Sequence, residues 1–177
     1  MELILQSFDN ILDLNNSFKE VVLLSLYVSV LATIISSIIS IYLSSYMAIE
    51  NFSGKNTITL IFNSLMSLPP VVVGLILYII FSSSGVLGFT DLLYSPQIMI
   101  IAQFIIITPI IISLSLKSLN DRYNLLDDYL FSLNASKNKI RRTIIYESRY
   151  DLLIIVITGL SRALSEVGAV IIVGGNI

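Results

Sequence analysis

Four long apolar runs, separated by shorter polar stretches, set the architecture of this chain. Residues 21–49 carry no charged side chain. As a helix these 29 residues rise about 43 Å, more than the ~30 Å hydrocarbon core of a bilayer requires. The pattern predicts a transmembrane helix over 20–49. A second uncharged run predicts a helix over 57–81, with Pro69 and Pro70 near its middle, where lost backbone donors must kink or interrupt it. Ser95 and Pro96 read as the N-cap and first-turn proline of a third helix, expected over 96–116 and kinked at Pro109. A fourth is expected over 152–175, with Arg162 and Glu166 in its interior. The predicted fold class is all-α: a polytopic membrane helix bundle of about four transmembrane helices, forming a single domain over 1–177.

Within the first run Ser25, Ser29, Thr33, Ser36 or Ser37, Ser40 and Ser44 recur every three to four residues. Such a stripe of small hydroxyls lets helices approach closely and hydrogen-bond inside lipid; the alternative is a polar conduit. The proline pair is either a packing kink or part of a pathway, since broken backbone in a membrane must be covered by protein or line a cavity. Gly159 with Ala163, and Gly168 with Ala169, suit close helix contact better than a ligand cavity.

Residues 117–151 interrupt the apolar pattern with seven Lys or Arg and five Asp or Glu, 12 of the chain's 22 charges. Leu126, Tyr129, Leu130 and Leu133 fall on one face of a short helix that also carries Asp127, Asp128 and Ser132. Asn134 stands at a left-handed cap. A second short helix follows, with Ile140, Ile144 and Ile145 among Lys139, Arg141 and Arg142. This helix, turn and helix could lie on anionic lipid or fit a groove on a cytosolic protein. Five acids among seven bases count against a purely lipid-binding surface.

Composition narrows the function classes. The chain is 55% hydrophobic and 12% charged, about half the charge of a typical soluble domain. A net charge of −2 gives no reason to expect nucleic acid. Cys and His are absent, which removes disulfides, thiolate or imidazole metal sites and His general bases. Glu2, Asp9 and Asp13 at the start do not fit a signal peptide. With four spans and the N-terminus outside, the inner loops hold Lys55 and the seven bases of the insert while the outer segments hold Lys19; the positive-inside rule selects that orientation.

The order Asp128, Tyr129, Leu130, then Leu133, Asn134, Ala135, Ser136 resembles the cytoplasmic Glu-Ala-Ala loop of ABC-importer permeases, with Asp for the Glu and Asn for the usual Gly. Ser67-Leu68-Pro69-Pro70-Val71-Val72-Val73-Gly74, Gly85-Val86-Leu87-Gly88 and Ser161-Arg162-Ala163-Leu164-Ser165-Glu166-Val167-Gly168-Ala169 resemble segments of the molybdate, tungstate and sulfate permeases, as does Gly174-Gly175-Asn176. The Ser-Glu-Val-Gly-Ala form is most similar to the tungstate branch. The resemblance implies the type I importer fold and a permease subunit for an oxyanion. Tungstate is the first expectation, with molybdate or sulfate as the alternative.

The same resemblance implies a coupling insert formed by Asp128, Tyr129, Leu130, Leu133, Asn134, Ala135 and Ser136, docking on a cytosolic ABC ATPase that binds ATP and magnesium; no cofactor is expected in this chain, which has no Gly-x-x-x-x-Gly-Lys-Ser/Thr phosphate loop. An extracytoplasmic oxyanion-binding protein, a second permease copy and the lipid bilayer are the other expected partners, in the inner membrane of a prokaryote. The expected pathway residues are Pro69, Pro70, Ser161, Arg162, Ser165, Glu166 and Asn176. Intramembrane ions point to function, although Arg162 and Glu166 could equally neutralise one another and lock the bundle. Family members continue beyond Gly-Gly-Asn into another helix, so the family's last helix is expected to be missing. A non-transporting membrane anchor or scaffold is the rival of a different class.

Overall fold

The computed structural model describes residues 16–166 and 168–174, and every regular element among them is a helix. α1 spans Asn16–Ile49 and α4 spans Pro96–Ser132. The apolar parts of both, Lys19–Ile49 and Pro96–Leu130, are long enough to cross a membrane. They pack along one another through the hydroxyl stripe: Ser29, Thr33, Ser36, Ser37, Ser40, Ser44 and Ser45 are all buried, whereas Ser25 is exposed. Ser36 Oγ lies 2.9 Å from Thr108 Oγ1, and Ser44 donates to the Ile112 carbonyl at 3.1 Å. The stripe is a helix-packing face. The opposite face, with Leu23, Tyr27, Ile34, Ile38 and Tyr42, is exposed as lipid contact requires.

The second run is broken rather than kinked. α2 (Lys55–Leu65) and α3 (Pro70–Phe81) meet at 98°, and count as a third span only if taken together. A residue before proline is pushed out of the helical region. Leu68 precedes Pro69 and Pro69 precedes Pro70, so the chain cannot continue the helix; Pro69 sits at ψ 126 and Pro70 opens α3 at its first position.

The third run departs from expectation in the other direction. Pro109 lies inside an unbroken helix, and α4 does not stop at residue 116 but runs through the charged stretch to Ser132. No Gly or Pro lies between Leu116 and Ser132, and Leu116, Leu119 and Leu130 continue the buried side. The short helix expected around Leu126 is thus the end of a 37-residue one.

After a turn come α5 (Lys137–Glu147) and, past Ser148, α6 (Arg149–Ser165). The last run is also divided: α6 ends at Ser165, Glu166 leaves the helical region with ψ 87, and α7 (Gly168–Gly174) follows. A glycine at that point weakens a continuous helix.

Two apolar cores result. One joins α1, α3, α4 and α7 through Val28, Val73, Leu77, Ile98, Met99 and Ala169. The other, nearer the charged stretch, joins α1, α4, α5 and α6 through Met47, Leu119, Ile144 and Leu152. Gly159 packs on Ile111, and Gly74 on Ala169.

Candidate functional site

Two groups of residues stand out, at different levels of the bundle. The first surrounds the break after α6. Arg162 Nη1 lies 2.7 Å from Glu166 Oε1, one helical turn on. Arg162 is 40% exposed and Glu166 only 12%. The pair therefore has one nearly buried member and one able to meet solvent, a partner or a ligand. Its two members face different spaces. Arg162 lines a small cavity of about 50 Å³ with Leu65, Met66, Leu68, Ile105 and Pro109, so the proline break of α2–α3 and the guanidinium are brought together. Glu166 lines a larger one of about 270 Å³ between α1, α4, α6 and α7.

A helix end in lipid leaves carbonyls that need donors. Here Ser165 Oγ donates to the Arg162 carbonyl at 2.9 Å, and the Gln103 side chain of α4 donates to the carbonyls of Ala163 at 3.0 Å and Glu166 at 3.3 Å. Gln103 is 1% exposed. The pattern reading missed it, although an amide in a run without charges was a signal. Of the other expected pathway residues, Ser161 and Ser165 are exposed, Pro69 is exposed and Pro70 half-buried. Asn176 lies outside the described residues.

The second group is the charged end. Asn134 takes φ 47, and the Ala135 N–H reaches the Leu130 carbonyl at 3.2 Å, the long-range bond of a Schellman turn closing α4. The expected leucine face splits. Leu130 is buried in the bundle, while Tyr129 and Leu133 are exposed together with Leu125, which the pattern reading left out. These three recur every four residues and form one exposed apolar stripe. Asp128, Asn134 and Ser136 beside it are exposed and Ala135 is half-buried.

The basic residues are largely engaged within the chain. Lys137 Nζ meets Glu50 Oε2 at 2.6 Å, the Arg141 guanidinium lies over the rings of Tyr42 and Tyr46 at 5.9 and 5.5 Å, and Arg149 lies over Tyr146 at 4.3 Å. Arg122 is 3.9 Å from Asp151. Ile144 is fully buried, and Ile140 and Ile145 pack against the same core. The insert packs its isoleucine face inside the bundle and exposes the Leu125, Tyr129 and Leu133 stripe.

An all-helical bundle with membrane-length helices, a broken span at an ion pair and an exposed apolar stripe beside a capped turn has the make-up of a membrane transport subunit. No protein-family model matches the chain. It is 40% identical over 181 residues to the tungstate uptake system permease protein TupB of Peptoclostridium acidaminophilum, covering all of this chain and 79% of that protein. It is 35% identical over 166 residues to a probable anion ABC transporter permease of Haloferax volcanii, covering 93% of this chain and 72% of the relative. The Campylobacter jejuni TupB is 40% identical over 129 residues, covering 71% and 53%. The chain belongs to the family of ABC-transporter permeases that contains these proteins.

Proposed function

We propose that this chain is the membrane-spanning subunit of an ATP-driven importer for tungstate. The carrying observation is the 40% identity to a tungstate uptake permease over the whole chain. In this reading residues 1–177 act as one permease domain in the inner membrane of a prokaryote, with the N-terminus outside and the charged end in the cytoplasm, as the clustering of Lys and Arg supports. A second copy completes the pathway, and an extracytoplasmic binding protein delivers the anion.

The ATP-hydrolysing subunit, with its ATP and magnesium, sits under the stripe of Leu125, Tyr129 and Leu133. Asp128, Asn134, Ala135 and Ser136 border that contact, and Leu130 anchors it from within. Closure of the ATPase pair moves α4 and α5 together, because Ile144 and Leu119 share one core. Arg162, flanked by Ser161 and Ser165, supplies positive charge and hydrogen-bond donors suited to a tetrahedral oxyanion. The breaks at Pro69, Pro70 and Glu166 are the points at which these segments would hinge.

The test is co-purification and reconstitution. A tagged permease should retain an ABC ATPase whose hydrolysis rises with tungstate, and Asp128→Lys with Ala135→Arg should abolish both retention and uptake. A permease that never retains an ATPase, with uptake unharmed by those substitutions, is not an importer subunit. Equal stimulation by sulfate removes the tungstate assignment.

A further inference from the structure

Gln103 is a buried amide of α4 at the level of the ion pair, where it bonds to backbone carbonyls and, among the described residues, to neither side chain of the pair. Its Nε2 holds the carbonyls of Ala163 and Glu166, so it clasps both sides of the turn that ends α6. Its Oε1 is buried with no partner among the described residues. An unsatisfied buried acceptor is destabilising, a cost that an apolar side chain of similar shape would avoid. The residue is therefore accounted for by its donor group, not by its volume.

The helix that carries this donor also carries the stripe. From Gln103 to Tyr129 α4 is unbroken, a reach of about 39 Å. Pro109 lies between them and removes one backbone bond, but α1 braces that point. Ser36 meets the Thr108 hydroxyl at 2.9 Å, Ser40 reaches its carbonyl at 3.5 Å, and Ser44 holds the Ile112 carbonyl at 3.1 Å.

We infer that Gln103 is a positioning residue that fastens the Arg162–Glu166 turn to α4, so that the turn moves as one body with the Leu125, Tyr129 and Leu133 stripe. The inference deepens the proposed transport reading and rests on it for its effect on coupling. The mechanical linkage itself does not need an ATPase.

The chain has no cysteine, so spin labels can be placed cleanly at Asn124→Cys on α4 and Leu164→Cys at the turn, both exposed positions outside the docking stripe and the pathway residues. On the permease alone in lipid nanodiscs, the label distance should have a single narrow distribution, and Gln103→Met should at least double its width. Equal widths overturn the linkage. In the full complex the parental distance should stay within a few ångström between nucleotide-free and ATP-trapped states. A larger change overturns the inference even if Gln103→Met does not fold. In proteoliposomes Gln103→Met should retain the ATPase subunit as the parent does, while tungstate moved per ATP hydrolysed falls at least tenfold; an unchanged ratio also overturns it. If the parent retains no ATPase, the transport reading fails, and the width comparison still decides the linkage.

Discussion

Gly74 lies directly against Ala169: a Cβ built on Gly74 would come within 3.1 Å of the Ala169 Cα and 3.2 Å of its carbonyl oxygen. α3 and α7 thus meet backbone to backbone, the close approach that small residues permit in a membrane. Their contact holds the second half of one broken span against the second half of another.

Gly74→Leu should separate α3 from α7 and cost about 1–3 kcal/mol, the usual range for overpacking. Thermal unfolding in detergent should show a lowered midpoint, with Gly74→Ala milder because its neighbours need shift only slightly. A Gly74→Leu protein as stable as the parent would show that the two helices are free to part.

The ion pair predicts an asymmetry. Glu166 is nearly buried and Arg162 is not. Arg162→Gln leaves a buried carboxylate unpaired, and Glu166→Gln leaves a cation that can reach water. The first should cost more, between the ~0–1 kcal/mol of an exposed pair and the ~3–5 kcal/mol of a broken buried one. The swap Arg162→Glu with Glu166→Arg separates structure from transport. Restored assembly without restored uptake assigns the guanidinium to the anion, and restoration of both assigns it to the bundle.

Adjacent residues of α4 should respond in opposite ways. Tyr129→Asp or Leu133→Asp should leave the stability within about 0.5 kcal/mol of the parent, as substitutions of exposed side chains do, but weaken ATPase retention at least tenfold. Leu130→Asp places a carboxylate at a 5% exposed position and should unfold the charged end. Titration with purified ATPase and thermal scans measure the two effects independently.

The hydroxyl stripe should tolerate loss of polarity and resist added bulk. Ser40 is fully buried and its bond to the Thr108 carbonyl is long, at 3.5 Å. Ser40→Ala should change stability by less than about 1 kcal/mol, whereas Ser40→Leu should push α1 from α4 and cost several-fold more, read as loss of monodisperse protein on size exclusion.

Much of this was legible in the sequence because lipid imposes a strong code. Apolar run length set α1, the serine spacing marked the face that meets α4, and Asn134 marked a helix end. Turn geometry and helix continuation were harder to read. Two consecutive prolines forced a 98° bend where one buried proline, Pro109, forced no break, since steric exclusion acts on the residue before each proline and Pro69 is itself such a residue. Charge concealed the true length of α4, because a helix continues through polar residues when one side stays packed. At the sites, periodicity identified Tyr129 and Leu133 but assigned Leu130 to the same face. Gln103 was invisible to motif matching because its partners are backbone carbonyls 60 and 63 residues away.

The bend between α2 and α3 also bears on how the chain enters a membrane. At 11 and 12 residues, each half is only about 17–18 Å long, too short to be inserted as a span on its own. Leu68 at the break lines a small cavity whose other wall, Ile105, Ile106 and Pro109, belongs to a helix synthesised later. Residues 55–81 reach the length of a span only when both halves are taken together, and the wall that α4 gives their bend exists only once α4 lies beside them. The angle at Pro69 is thus shaped by a helix that follows it in the chain as well as by the proline pair itself.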